Sequence, residues 1–275
     1  MIRFTSNDIT PGRVYGAIKR RVLDVPHFVS WRLTPQAEEE RARWLRSKNK
    51  HNDETCILIA NGPSVAAMDL SIIKNKISFG VNRIYLLREK FPYIPTYYCC
   101  VNELLLEQFA ADILDLTVPK FLNWNKRNLF GFAASTVFFR SRFAISDGFS
   151  TDAIGGLYSG GSVTYTALQI IYHMGFRKVI IIGLDHNYRE KGIPGKTEVR
   201  DQRDDESHFH RDYFPRGTKW QLPDLRRSEI AFKRAKLAFE ADGREIIDAT
   251  VDGQCEVFEK GDFYRLISSD LGTAK

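Results

Sequence analysis

The sequence predicts an α/β protein: a Rossmann-like, mostly parallel sheet with helices on both faces and a long lid segment. Two observations carry that expectation. Short apolar runs recur along the chain, and they alternate with segments patterned for helix, as strands buried on both faces of a parallel sheet require. Several runs also end in Asn- or Gly-containing turns, where an open α/β sheet places its ligands.

In order, the strand-like runs are CILIA (56–60), ISFGV (77–81), TYYCCV (96–101), PKFLNW (119–124), TVFFR (136–140), KVIIIGLD (178–185) and REIIDAT (244–250). Between the first two lies a segment with apolar positions Val65, Met68, Leu70 and Ile73. The cluster GGLYSGGS (155–162) precedes a helical stretch from Val163 to Met174, whose Ala167, Ile170, Ile171 and Met174 share one face. Gly175 is placed to end it. Ser228–Ala241 reads as a second amphipathic helix, stopped by Asp242 and Gly243.

The organisation that follows is a basic, partly helical extension over residues 1–51 and a Rossmann-like nucleotide-binding or transferase domain over 52–275. Residues 186–224 are too long and polar for a tight connection, and long loops of this kind are often lids.

With 43% hydrophobic and 27% charged residues, the composition excludes a disordered chain. No run of eighteen apolar residues and no secretory leader are recognisable. Cys56, Cys99, Cys100 and Cys255 show no CxxC spacing, which suits reduced thiols in a cytoplasmic protein. The net charge of +6 is concentrated: residues 1–50 hold eleven Lys or Arg against five Asp or Glu, and the rest is balanced. PQAEEERARWLRSK mixes both signs at helical spacing, as a solvated helix does. The basic arm is also suited to peripheral contact with the inner face of a membrane. No zinc spacing, RNP-type motif or basic recognition helix supports nucleic-acid binding.

Four constellations could carry chemistry. Asn61-Gly62-Pro63-Ser64 follows the first run; Gly62 permits close backbone approach, and Ser64 suits a cap or a phosphate. Asn82 and Asn102 follow the second and third runs, so three successive strands end in an amide able to read a base or sugar. Gly160-Gly161-Ser162 opens a helix whose first N–H groups suit phosphate. The fourth is the lid, with Asp185, His186, Tyr188, Asp204, Asp205, Glu206, His208, His210 and Tyr213. A histidine there suits general acid–base work better than a metal site, which would need a complete ligand set. Trp220 is placed to close the lid by packing.

ANGPS, GVNRIY, CVNE, GGSVTYTALQIIYHMGFRKVIIIGLDHNY and SHFHRDYF, in this order, resemble the MptE-like family (6-hydroxymethylpterin diphosphokinase MptE-like). The same order is similar to bacterial sialyltransferases that use CMP-sialic acid. The resemblance covers about residues 54–250. It implies a nucleotide-sugar-dependent, sialyltransferase-like glycosyltransferase making cell-surface or secreted glycans, with a CMP-linked donor favoured and a glycan or small-molecule acceptor. Asn61, Asn82 and Asn102 would contact the donor, with Gly62, Ser64, Gly160, Gly161, Ser162 and Asp185 completing its cradle. His208 and His210 share the general-base assignment, and Tyr188 would assist the departing phosphate, with Tyr213 a further candidate. The MptE-like alternative puts ATP in the same cradle with Mg²⁺ on Asp185, Asp204 and Asp205, releasing AMP on diphosphate transfer. A nucleotide-binding module without catalysis is the third reading, and an oligomer is compatible with all three.

Overall fold

In the computed structural model, each of the seven apolar runs forms a strand of one parallel sheet. The structure describes residues 11–91, 93–142, 147–190, 192–201 and 205–271. The sheet strands are β1 (Thr55–Ile59), β2 (Ser78–Val81), β3 (Tyr97–Cys100), β4 (Lys120–Asn123) and β5 (Thr136–Phe139). The chain continues through β6 (Ser141–Arg142) and β7 (Leu157–Tyr158), which pair separately with each other, to β8 (Lys178–Ile182). β9 (Thr197–Val199) and β10 (Lys219–Gln221) form an antiparallel pair, and β11 (Glu245–Asp248) and β12 (Glu259–Lys260) complete the main sheet. Its order is β12-β11-β8-β1-β2-β3-β4-β5, with every neighbouring pair parallel.

β2, β3 and β4 are buried along their whole length, and β1 and β8 at all but their first residue. That is why these strands read as continuous apolar runs rather than alternating ones. After β5 the chain returns to β8 on the other side of β1, so strand order reverses between β1 and β8. Such a reversal leaves a crevice at the carboxyl ends, where ligands of open α/β sheets bind.

The helices are α1 (Pro11–Leu33), α2 (Pro35–Ser47), α3 (Glu103–Gln108), α4 (Ala110–Leu114), α5 (Arg127–Phe130), α6 (Val163–His173), α7 (Leu225–Ala241) and α8 (Phe263–Leu271). α6 is buried at Thr164–Ile171, packs against α7 and crosses β1, β2 and β3, its amino end at the carboxyl edge of the sheet. Gly175 (φ +94°) and Gly243 (φ +67°) take left-handed backbone just past α6 and α7. The segment after β1 forms two short 3₁₀ turns, Pro63–Ala67 and Leu70–Ile73, rather than a regular helix. All four cysteines are buried and unpaired with one another.

α2 closes the β5 edge. Thr34 caps it by accepting from the Ala37 N–H at 3.3 Å, with Pro35 in the first turn, and Glu40 and Trp44 face the strand. The Glu40 carboxyl accepts from the Phe138 N–H at 2.8 Å, and the Trp44 indole donates to the Phe138 carbonyl at 2.8 Å. Arg43 donates to the Thr136 carbonyl at 2.8 Å. Side chains thus satisfy backbone groups that an edge strand would otherwise expose. Among the described residues, no helix is long and apolar enough to cross a membrane.

Candidate functional site

Asn61, Asn82 and Asn102 follow β1, β2 and β3, which lie side by side, so the sheet delivers all three to one rim. Register confirms it: Ile59 pairs with Gly80, Val81 pairs with Cys99, and the Asn82 N–H donates to the Cys99 carbonyl at 3.0 Å. They are not equivalent. Asn102 caps α3, its Oδ1 accepting from the Leu104 and Leu105 N–H groups at 2.9 and 3.4 Å. The Oδ1 atoms of Asn61 and Asn82 are buried without a hydrogen-bond partner among the described residues. Asn82 also adopts a left-handed backbone (φ +50°), which Asn tolerates better than most residues. A buried acceptor left unpaired costs stability unless something else fills it, which makes these two amides candidates for a ligand subsite.

The crevice between β1 and β8 is bridged at its base. The Ala60 and Gly62 N–H groups donate to the Ile182 and Gly183 carbonyls at 2.8 and 2.9 Å. Asp185 accepts from the Ser64 N–H at 3.0 Å and from its hydroxyl at 2.7 Å. A Cβ on residue 62 would lie 1.8 Å from Asp185 Oδ2, so only glycine lets this carboxylate reach the turn. Burial raises the Asp185 carboxyl above its ordinary value although both Ser64 bonds lower it. Ser64 and Asp185 therefore shape the floor for whatever lies above.

The lid docks onto this rim. The Phe209 N–H donates to the Asn61 carbonyl at 3.0 Å. Arg83, adjacent to Asn82, donates from Nη1 to the Asp212 carbonyl at 2.9 Å and also to the Tyr213 carbonyl, with its guanidinium 3.8 Å over the Phe109 ring. Gln108 of α3 exchanges two hydrogen bonds with the backbone of Lys219 in β10, at 2.8 and 2.7 Å. Trp220 packs against Phe214 and the Arg200 guanidinium.

Within the lid, Asp205 Oδ1 accepts from the Ser207 N–H and the His208 N–H at 3.0 Å each, and lies 2.9 Å from His208 Nδ1. Burial pushes the Asp205 carboxyl up. The bond and charge of His208, the Arg200 guanidinium and the Ser207 N–H outweigh it and hold the group below the usual carboxylate range. An ionised carboxylate only accepts, so in the neutral ring the proton sits on Nδ1 and the lone pair on Nε2. Among the described residues Nε2 has no hydrogen-bond partner. The ring stacks on Tyr213 at 4.0 Å, meets Tyr188 edge-on at 5.9 Å and meets Phe214 edge-on at 5.3 Å.

His210 is held differently. Its Nε2 faces Glu89 at 3.0 Å and its Nδ1 accepts from the Asp212 N–H at 3.2 Å, so both nitrogens are occupied. Tyr213 is buried beneath His208, its hydroxyl accepting from the Arg83 N–H at 3.3 Å. Tyr188 keeps its proton: burial first, then the charges of Glu190, Asp205 and Asp185, push the phenol to about 12. It is a hydrogen-bond donor at neutral pH. His186 is spent on Glu229 at 3.2 Å.

At the far side of the rim, Ser162 stands at the start of α6 with no side-chain capping bond. Gly160 (φ +54°) packs so closely that a Cβ would lie 2.3 Å from the Tyr165 ring and 2.6 Å from Ala231. Arg227 of α7 lies over Gly161, joined to Asp147 by bonds of 2.7 and 3.0 Å and to Ser159 at 3.1 Å. Arg83 and Arg227 are the cations that the sequence reading missed. Arg83 is visible as the residue after Asn82 in GVNRIY, but nothing local marks Arg227.

Of the carboxylates named for Mg²⁺, the two in the described residues each make bonds within the protein. Asp185 is committed to Ser64, Asp205 Oδ1 to His208 and Ser207, and Asp204 lies outside the described residues. Among the described residues, no group of three His, Cys, Asp or Glu is arranged to hold a metal ion.

The fold has a solved counterpart. The chain is similar to the MAf glycosyltransferase from Magnetospirillum magneticum AMB-1, with TM-score 0.52 and 15% identity over 86% of this chain. It spans 41% of that chain's length, so the likeness concerns the fold. No curated protein matches the sequence. Residues 34–191 match the family described as 6-hydroxymethylpterin diphosphokinase MptE-like. That match covers more than half of the sequence and includes the asparagine rim, the glycine loop and Tyr188; the chain belongs to the MptE-like family.

Proposed function

We propose that the chain is a transferase that moves a glycosyl group from a nucleotide-linked donor to an acceptor hydroxyl, in a sialyltransferase-like reaction. The observation that carries this reading is the Asp205–His208 pair, held over the asparagine rim by the Phe209–Asn61 hydrogen bond.

Asp205 fixes the tautomer, so His208 Nε2 presents a lone pair to the acceptor. Nε2 takes the hydroxyl proton as the acceptor oxygen bonds to the anomeric carbon. The bond from that carbon to the donor phosphate oxygen breaks, and the nucleotide leaves with the electron pair. Tyr188, protonated at neutral pH, donates to the phosphate as its charge develops. The amino end of α6 lends its free N–H groups, and the Arg227 stem packs beside Gly161 with its guanidinium held by Asp147. Asn61 and Asn82 offer buried acceptors to hydroxyl or amino groups of the nucleoside or sugar. The docked lid excludes water that would hydrolyse the donor.

The family description and the glycosyltransferase neighbour both name group-transferring enzymes, and this supports a transferase. The placement of His208, with one ring nitrogen held by Asp205, favours glycosyl transfer to an acceptor hydroxyl. A thermal-shift screen of CMP, UDP, GDP, ATP and their sugars, with chelator and with Mg²⁺, tests it. Stabilisation by a nucleotide sugar in chelator is expected, with CMP-linked donors first. Stabilisation by ATP with Mg²⁺ alone would replace this reading with the diphosphokinase. Nucleotide binding without turnover under any pairing would leave a binding module.

A further inference from the structure

α1 carries an apolar stripe that nothing in the described chain covers. Ile18, Val22, Val25, Val29 and Leu33 are 55%, 64%, 53%, 44% and 77% exposed. At about 100° per residue they fall within an arc of about 80°. The opposite face holds α1 to the body: Asp24 and Trp31 are buried, and Trp31 packs edge-on against Trp124 at 5.1 Å. The Trp124 indole donates to Ser30 at 2.9 Å, so α1 is anchored beside the segment that follows β4. The stripe therefore points away from the protein by construction.

Its charge selects the occupant. α1 contains Arg13, Lys19, Arg20, Arg21 and Arg32 against one acid, Asp24, and that acid is buried on the packed face. Arg21 and Arg32 are exposed and border the stripe on one side. A second copy of the helix would set like charges against one another along the seam. An anionic lipid surface accepts both features: the apolar side chains enter the acyl boundary while the guanidinium groups stay at the headgroups.

We propose that α1 is an interfacial helix that docks the protein on an anionic phospholipid bilayer. The helix lies parallel to the surface, with the Ile18–Leu33 stripe buried in it. Because α1 is anchored beside the carboxyl end of β4, docking brings the asparagine rim close to the bilayer. The proposal is independent of which group the site transfers.

Co-sedimentation of the full chain with phosphatidylcholine vesicles, with and without phosphatidylglycerol, is the test. Binding only to the anionic vesicles, weakened by salt, is expected. Val22→Asp with Val29→Asp should reduce it by at least about tenfold, with an unchanged melting temperature because both side chains face solvent. Arg21→Gln with Arg32→Gln should reduce it by about fivefold per residue. Equal binding to neutral vesicles, no binding to anionic ones, or full binding by the valine variant overturns the proposal. So does a dimer in sedimentation velocity that the valine variant abolishes, or retention on nucleic acid in place of vesicles.

Discussion

The two ends of the sheet are built from similar residues and treat them in opposite ways. At the amino ends every named polar group is saturated. His51 faces the Tyr97 hydroxyl at 2.8 Å on one ring nitrogen and Glu54 on the other, and stacks on Phe176. His173 is buried, with Nδ1 accepting from the Ala153 N–H at 3.2 Å and Nε2 bonded to the Trp44 carbonyl at 2.8 Å. At the carboxyl ends, Asn61 Oδ1, Asn82 Oδ1 and Asp205 Oδ2 are buried without hydrogen-bond partners among the described residues, where His208 uses one nitrogen of two. Saturated polar groups rigidify a fold, whereas partly satisfied ones mark where it expects another molecule.

Four substitutions would break or sharpen that contrast. The largest effect belongs to His208→Ala, expected to lower turnover with the selected donor by about 10² to 10⁴-fold while leaving donor affinity intact. His210→Ala should cost no more than about fivefold, since it removes a pair with the exposed Glu89 and an exposed bond from the Asp212 N–H. Steady-state rates beside a thermal-shift titration separate the two, and equal losses would remove the distinction between them. Next is Asn61→Ala: donor affinity should fall about tenfold while unfolding stability holds or rises, because the deleted oxygen has no partner among the described residues. A loss of stability without loss of affinity would make Asn61 a structural residue.

The smallest effect concerns the saturated side of the molecule. Burial lifts the Glu40 carboxyl from an ordinary 4.5 to about 7, against the Phe138 N–H and Arg43, which lower it. Between those values the folded chain binds a proton that the unfolded chain has released. Stability from this group therefore falls as pH rises through the window. Glu40→Gln, which keeps an acceptor for Phe138, should raise the melting temperature by a few degrees, about 1 kcal/mol, at pH 8 and hardly at all at pH 5. His173 works in the other direction. Burial lowers its pKa from 6.5, so its share of stability is lost as pH falls below that value.

Much of this was legible in the chain. Strands buried on both faces announce themselves as apolar runs, and α6 and α7 by their periodicity and glycine stops. What escaped has physical reasons. β12 is two exposed charged residues, and β9 and β10 are short strands whose outer positions face solvent, so neither leaves an apolar run. The stretch after β1 carries helix-like apolar spacing yet forms 3₁₀ turns, with Asp185, from the segment that follows β8, bonded to its start. The asparagine rim was readable because one residue type recurs at three strand ends. Choosing His208 over His210 was not, because the decision rests on Glu89 and Asp205, and Glu89 lies 121 residues from its histidine. Arg83 likewise acts on a lid 129 residues away.

The helical seal on β5 has a consequence for how copies of this chain can meet. One border of the sheet has backbone groups already taken by Glu40, Arg43 and Trp44, and the other ends in a two-residue strand, Glu259–Lys260. Neither border offers a template on which another chain could add its own strand. Among the described residues the main sheet is finite at both sides, and growth by strand addition, the first step of many fibres, finds no free edge strand longer than two residues on it.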